Sequence, residues 1–184
     1  NLGLNAAEQG KYEVAVEYYT RALTLLDKVY DPAHRAIVQM NLGGTYYRQK
    51  AYAQALDILN PVEQELRRLS DELNLAKLLT IKGLCYLAQQ QWALAEDAFQ
   101  ASTALFHQLG DLSWYLNAYD GLGISYLERE QYEQALAIFE AIVAQLPQIE
   151  GTPAHKYLTA TLAKQLDQAK VKQVKRGESV YRPT

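Results

Sequence analysis

The sequence predicts an all-α solenoid of four helical hairpins followed by one further helix. Three observations predict it. The chain is rich in Leu, Ala and Gln and poor in Val and Ile, with five prolines in 184 residues, a composition that favours helix over strand. One period runs through it. Gly3, Gly43, Gly83 and Gly123 are spaced 40 residues apart, as are Ala15, Ala55, Ala95 and Ala135, the mark of stacked, self-similar units. Within each period apolar residues recur at three- and four-residue spacing, as in Val38, Leu42 and Tyr46, and no stretch alternates as a strand would.

The elements follow in order. Four repeats span about residues 1–30, 31–70, 71–110 and 111–148. Asp31, Asp71 and Asp111 obey the same step and sit where an aspartate caps a helix start; Pro32 is tolerated in a first turn. In the second repeat the first helix runs from about Ala33 to Lys50 and the second from Tyr52 to about Leu69. The columns Tyr12, Tyr52, Trp92, Tyr132 and Tyr19, Leu59, Phe99, Phe139 supply bulk on the second helices. Tyr46, Tyr86 and Tyr126 do so on the first, with Ala6 the exception. A glycine costs a helix interior about 0.5–1 kcal/mol against alanine, so each column glycine needs a packing reason. The expected one is that Gly43 faces Ala55 and lets two helices close. Residues 152–172 continue the register as a capping helix, with Ala163 for Gly, Leu166 for Tyr, and Lys164, Gln165, Asp167 and Gln168 on a polar outer face, as a solenoid end requires. Residues 173–184 form a basic tail. The Leu-Gly pair at residues 2–3 leads to the expectation that more repeat or another domain precedes Asn1.

Composition narrows function. A net charge of −3 favours neither nucleic acid nor membrane as partner, and no apolar run approaches the ~18 residues of a membrane span. The basic residues Lys170, Lys172, Lys175, Arg176 and Arg182 set the tail apart from an acidic body. That tail, with Tyr181 and Pro183 as anchors, is a candidate handle for self-association. Cys85 is the single cysteine, so no internal disulfide forms, and a reducing, cytoplasmic location is expected. His34, His107 and His155 lie near repeat junctions rather than on one face. The glycines of residues 121–125 lack the Lys-Ser/Thr of a phosphate loop. No cofactor, metal site or catalytic residue is expected, so the reading is of a non-enzymatic chain. Tyr18, Tyr47, Tyr115 and Tyr119 fit no single core column and are candidate contact residues.

The paired signatures Leu42-Gly43…Tyr46…Ala55…Leu59 and Leu122-Gly123…Tyr126…Ala135…Phe139, repeated over residues 1–148 and ended by Pro147, resemble the tetratricopeptide repeat. The 40-residue period is longer than the usual ~34 and resembles the long-repeat branch that includes kinesin light chains and bacterial regulators. Lys82 departs from the apolar residue expected before Gly83. The resemblance implies a right-handed superhelix whose first helices line a concave groove. That groove maps onto Ile37, Met40, Gly44 and Tyr47, then Lys77, Thr80, Leu84 and Leu87, then Asn117, Asp120, Ile124 and Leu127. Met40, Thr80 and Asp120 stand where the family's carboxylate clamp carries lysine, so a chaperone tail is not the expected ligand. An amphipathic helix or apolar peptide fits better, with Gly44 leaving a gap beside Met40 and Tyr47. The expected function is a scaffold, adaptor or assembly factor; the alternative is a regulatory or sensory module of a longer signalling or transcription-regulating protein.

Overall fold

The structure, a computed structural model, describes residues 2–180, with side chains through Arg176. Asn1, and Tyr181 and Pro183 of the tail, lie outside the described residues. Among the described residues nine α-helices follow one another: α1 (Leu2–Glu8), α2 (Tyr12–Leu26), α3 (Pro32–Arg48), α4 (Tyr52–Arg68), α5 (Glu72–Ala88), α6 (Trp92–Leu109), α7 (Leu112–Glu128), α8 (Tyr132–Gln145) and α9 (Pro153–Val180), with a 3-10 turn at Leu146–Ile149. No strand occurs among the described residues. Two compact units part between Gln91 and Trp92, inside the third expected repeat. In the first, α1 packs on α2, α2 on α3, α3 on α4, and α5 on both α3 and α4. In the second, α6 packs on α7, α7 on α8, and α9 on both α7 and α8.

The helix starts are those the aspartate column sets. Asp31, Asp71 and Asp111 accept from the backbone N–H of His34, Asn74 and Trp114 at 3.0–3.1 Å, satisfying one otherwise orphaned donor each. The hairpin turns use a different device. Gly10, Lys50, Gln90 and Glu130 adopt φ values of 59–75°, and the next N–H reaches back to Ala6, Tyr46, Tyr86 and Tyr126 carbonyls at 2.9 Å. This is a left-handed helix terminus of Schellman type. Only the first turn uses glycine, and a side chain costs the left-handed conformation roughly 1–2 kcal/mol, against about 0.5–1 of extra chain entropy for glycine. Lys50→Gly, Gln90→Gly and Glu130→Gly are each expected to raise stability by several tenths of a kcal/mol and up to about 1, read from urea unfolding at unchanged slope.

The glycine columns work, but against a different partner from the one expected. A Cβ on Gly43 would lie 2.7 Å from Leu59 Cδ2, one on Gly3 2.7 Å from Tyr19, and one on Gly123 2.6 Å from Phe139. The bulky column stands nearest to each glycine, and Ala15, Ala55 and Ala135, one turn earlier on the same helices, are fully buried. Lys82 is accommodated by α4: its Nζ donates to Glu63 Oε2 at 2.6 Å while only 9% of the residue is exposed. Burial raises the Glu63 carboxyl, but hydrogen bonds from Lys82 and Arg67 outweigh it and leave the group below its usual range.

Helix α9 runs eight residues past the expected end at Lys172, through Val180. The segment assigned to a tail thus begins as helix. Leu158, Leu162 and Ala169 bury its inner side. Ala163 is exposed, because α9 carries no second helix of its own among the described residues. Gln165 is not on the outer face: it hydrogen-bonds Asp120.

Candidate interaction surface

The residues mapped to a groove divide into two sets in each unit. In the first unit Ile37, Gly44 and Tyr47 of α3 and Lys77, Leu84 and Leu87 of α5 are half-buried. Met40 and Thr80 are buried, at 6% exposure each. Thr80 turns its hydroxyl back to the Ala76 carbonyl at 3.1 Å. The gap at Gly44 is narrower than expected. Ile81 Cδ1 of α5 stands 3.5 Å from the position a Cβ would take. Tyr47 lies with its ring centroid 5.8 Å from that of Tyr52, and burial, then Tyr52 and Cys85, push its phenol up.

In the second unit Asn117 and Ile124 of α7 are half-buried, while Asp120 and Leu127 are buried at 2%. Asp120 lies under α9, hydrogen-bonded by Gln165 and Tyr157, with Oδ1 unpartnered. Burial pushes its carboxyl up to about 6. Met40, Thr80, Asp120 and Leu127 are therefore covered rather than open. Successive first helices pack directly, α3 on α5 and α7 on α9, and a third of the stripe is buried.

The two adjacent glycines give a clean test. Gly43→Ala is expected to cost about 1–3 kcal/mol, because Leu59 is fully buried and has little room to move. Gly44→Ala meets only an ordinary contact at Ile81 and is expected to gain up to about 1 kcal/mol of helix propensity. Thermal melts of the two variants should move in opposite directions.

The other candidates fall into place separately. Cys85 is fully buried, and burial pushes its thiol up to about 12, so it is a protonated core side chain and no nucleophile. His34 pairs with Asp31 at 2.7 Å, His107 sits edge-on to Tyr115 at 5.9 Å, and His155 lies in the first turn of α9. Among the described residues no group of three His, Cys, Asp or Glu could hold a metal ion, and no helix is long and apolar enough to cross a membrane. Tyr115 and Tyr119 stack on each other at 5.3 Å, while Tyr18 is 36% exposed. A cleft of about 390 Å³ opens between α3 and α4, lined among others by Tyr30, Pro32, Pro61, Arg35 and Arg68. Both guanidiniums are engaged, with Asp27 and Glu65 respectively.

The profile of the tetratricopeptide repeat family matches residues 1–60 and 74–148. No match was found by sequence among curated proteins. Among solved structures, a Podosopora anserina protein of kinesin light chain TPR-like repeats is 17% identical, with a TM-score of 0.69 over 95% of this chain and 93% of that one. The Rap conjugation gene regulator of plasmid pLS20, solved with the Phr* peptide, is 16% identical, with a TM-score of 0.74 over 93% of this chain and 49% of that one. Aspartyl phosphate phosphatase F from Bacillus subtilis is 18% identical, with a TM-score of 0.69 over 97% of this chain and 50% of that one. The chain thus spans about half the length of the last two proteins. At these identities the likeness is one of fold.

Proposed function

The chain belongs to the tetratricopeptide repeat family, and on that premise we propose that it is a non-enzymatic protein–protein interaction module, a scaffold or adaptor that holds a peptide or amphipathic helix. The observation that carries this reading is the half-exposed apolar set on α3 and α5: Ile37, Tyr47, Leu84 and Leu87, with Lys77 at its edge. Such a face matches the i, i+3, i+7 anchors of an amphipathic helix. On α7, Asn117 and Ile124 are the corresponding candidates. The protonated Cys85 and the separated histidines support a binding role rather than catalysis. The net charge of −3 supports a protein rather than a nucleic-acid partner, and a lone reduced cysteine fits a cytoplasmic location.

A second reading is a regulatory or sensory module of a longer protein. It is supported by the likeness in fold to half of a gene regulator solved with a peptide.

Selection of a displayed random-peptide library against the chain tests the first reading. Enriched peptides should bind the Leu84→Glu/Leu87→Glu variant at least tenfold more weakly, with helix content unchanged by circular dichroism. Equal binding to the folded variant would remove α5 from the surface.

A further inference from the structure

Two departures from the repeat columns meet between α7 and α9. Asp120 stands in the column of Met40 and Thr80; Met40 has no polar hydrogen to place, and Thr80 returns its hydroxyl to the Ala76 carbonyl. Gln165 continues the column of Thr45, Cys85 and Ser125, in which Thr45 and Ser125 donate to the Asn41 and Gly121 carbonyls of their own helices at 2.9 Å. A carboxylate only accepts, so Asp120 has no such internal solution. It is hydrogen-bonded across the contact by Gln165 and Tyr157 of α9. That pairing is one donor short. Asp120 Oδ1 and Gln165 Oε1 are both buried without a partner, and an unpaired buried oxygen weakens the contact that contains it. A proton on the carboxyl turns Asp120 into a donor, and Gln165 carries an acceptor in the same pair.

Tyr157 is the titratable group that reaches Asp120 from α9, and no charged side chain of α6, α8 or α9 is among the influences on it, so no neighbouring cation compensates the ionised form. The rest of α9 is lightly held. Among residues 153–176 its buried side chains are Leu158, Leu162 and Ala169, and Val171 and Val174 lie exposed. The shorter α6, by contrast, buries both Phe99 and Phe106. An element with few buried apolar side chains opens locally before the unit around it unfolds.

We infer that Asp120 and Gln165 form a proton-operated latch between α7 and α9: with the proton bound, α9 is held on α7, and without it α9 lifts away while α6 and α7 stay packed. Burial raises the Asp120 carboxyl from 3.8 to about 6. A docked pKa above the open one means that docking is strongest below about pH 4 and weakens as pH rises through about 6. Lifting uncovers Asp120 together with Leu158 and Leu162, so pH sets how often this part of α7 is open.

Hydrogen exchange of the wild-type chain, resolved by segment and corrected for the pH dependence of exchange itself, tests this. Protection of the α9 amides should fall about fiftyfold between about pH 4 and about pH 7 and then level off. At neutral pH these amides should exchange faster than those of α6 and respond little to low urea, because lifting one helix exposes little surface, whereas α6 should follow the steep urea dependence of unfolding. Asp120→Asn should remove the fall, and Tyr157→Phe, which takes a donor from the carboxylate, should deepen it. Three results would overturn the latch. One is an α9 profile without the fall. Another is a fall that persists in Asp120→Asn. The third is α9 sharing both the protection and the urea slope of α6, since the whole unit would then be opening at once.

Discussion

Gly121→Ala is expected to destabilise the chain by about 2–3 kcal/mol, the upper end of what overpacking costs. A Cβ at that position would lie 2.4 Å from Cε1 and 2.5 Å from Cζ of Phe99, far inside van der Waals contact. Phe99 is fully buried on α6, so the ring cannot swing into solvent, and the α6–α7 packing must open instead. The helix propensity gained by alanine, up to about 1 kcal/mol, offsets only part of this. Phe99→Leu alone removes ring atoms and leaves a cavity. In the Gly121→Ala background it also removes the clash, so the double variant should be more stable than the sum of the two losses by at least about 1 kcal/mol. Urea unfolding of the four members of that cycle provides the measurement. Additive losses would show that α6 and α7 do not meet at this point. Gly121 stands outside the glycine column of the repeat; its neighbours in register are Asn41 and Ile81. The close approach at Phe99 is therefore a local adaptation rather than a repeated one.

Asp120→Asn is expected to do the reverse and stabilise the chain at neutral pH. The carboxyl is 2% exposed, faces the neutral Gln165 and Tyr157 of α9, and leaves Oδ1 without a partner. Burial raises its pKa from the ordinary 3.8 to about 6. A folded pKa above the unfolded one means that the folded state holds the proton more tightly. The contribution to stability is fully present below about pH 4 and is lost as pH rises through about 6. The shift corresponds to roughly 3 kcal/mol at most. Asparagine keeps the shape and carries no charge, so the difference between variant and wild type should be near zero at pH 4, grow between pH 4 and 6, and level off above. Other titrating groups cancel in that difference. The same curve should appear in hydrogen exchange of α9, which Asp120 touches directly. A constant difference across this range would mean that the carboxyl is solvated.

Both effects lie at helix contacts, and that is where sequence and structure part. Repeat period, helix spans and caps were legible because each is local. An aspartate three residues before a backbone N–H caps a helix wherever the helix lies, and the 40-residue step assigns every copy once one is assigned. Lys82 stands out in the sequence as a departure from its apolar column, but its burial and its partner Glu63 on another helix cannot be read from spacing. The αL turns at Lys50, Gln90 and Glu130 show as breaks in the pattern, but not as left-handed backbone, because no glycine marks them. Four of the twelve candidate surface residues, Met40, Thr80, Asp120 and Leu127, are buried, and spacing could not tell this. Angular position on a single helix tells which residues share a stripe, and Met40, Gly44 and Tyr47 do share one. It does not tell how closely the next first helix approaches.

The sequence by itself determined an all-helical repeat, its period, its caps and the residues that recur. Those depend on interactions within one or two turns of helix and on periodicity. Only the tertiary structure decided what each recurring residue meets: Leu59 nearest to Gly43, Ile81 beside Gly44, and α9 over Asp120. The reason is steric. Close packing is set by the volumes of side chains on both sides of an interface, and one column of a repeat specifies only one side.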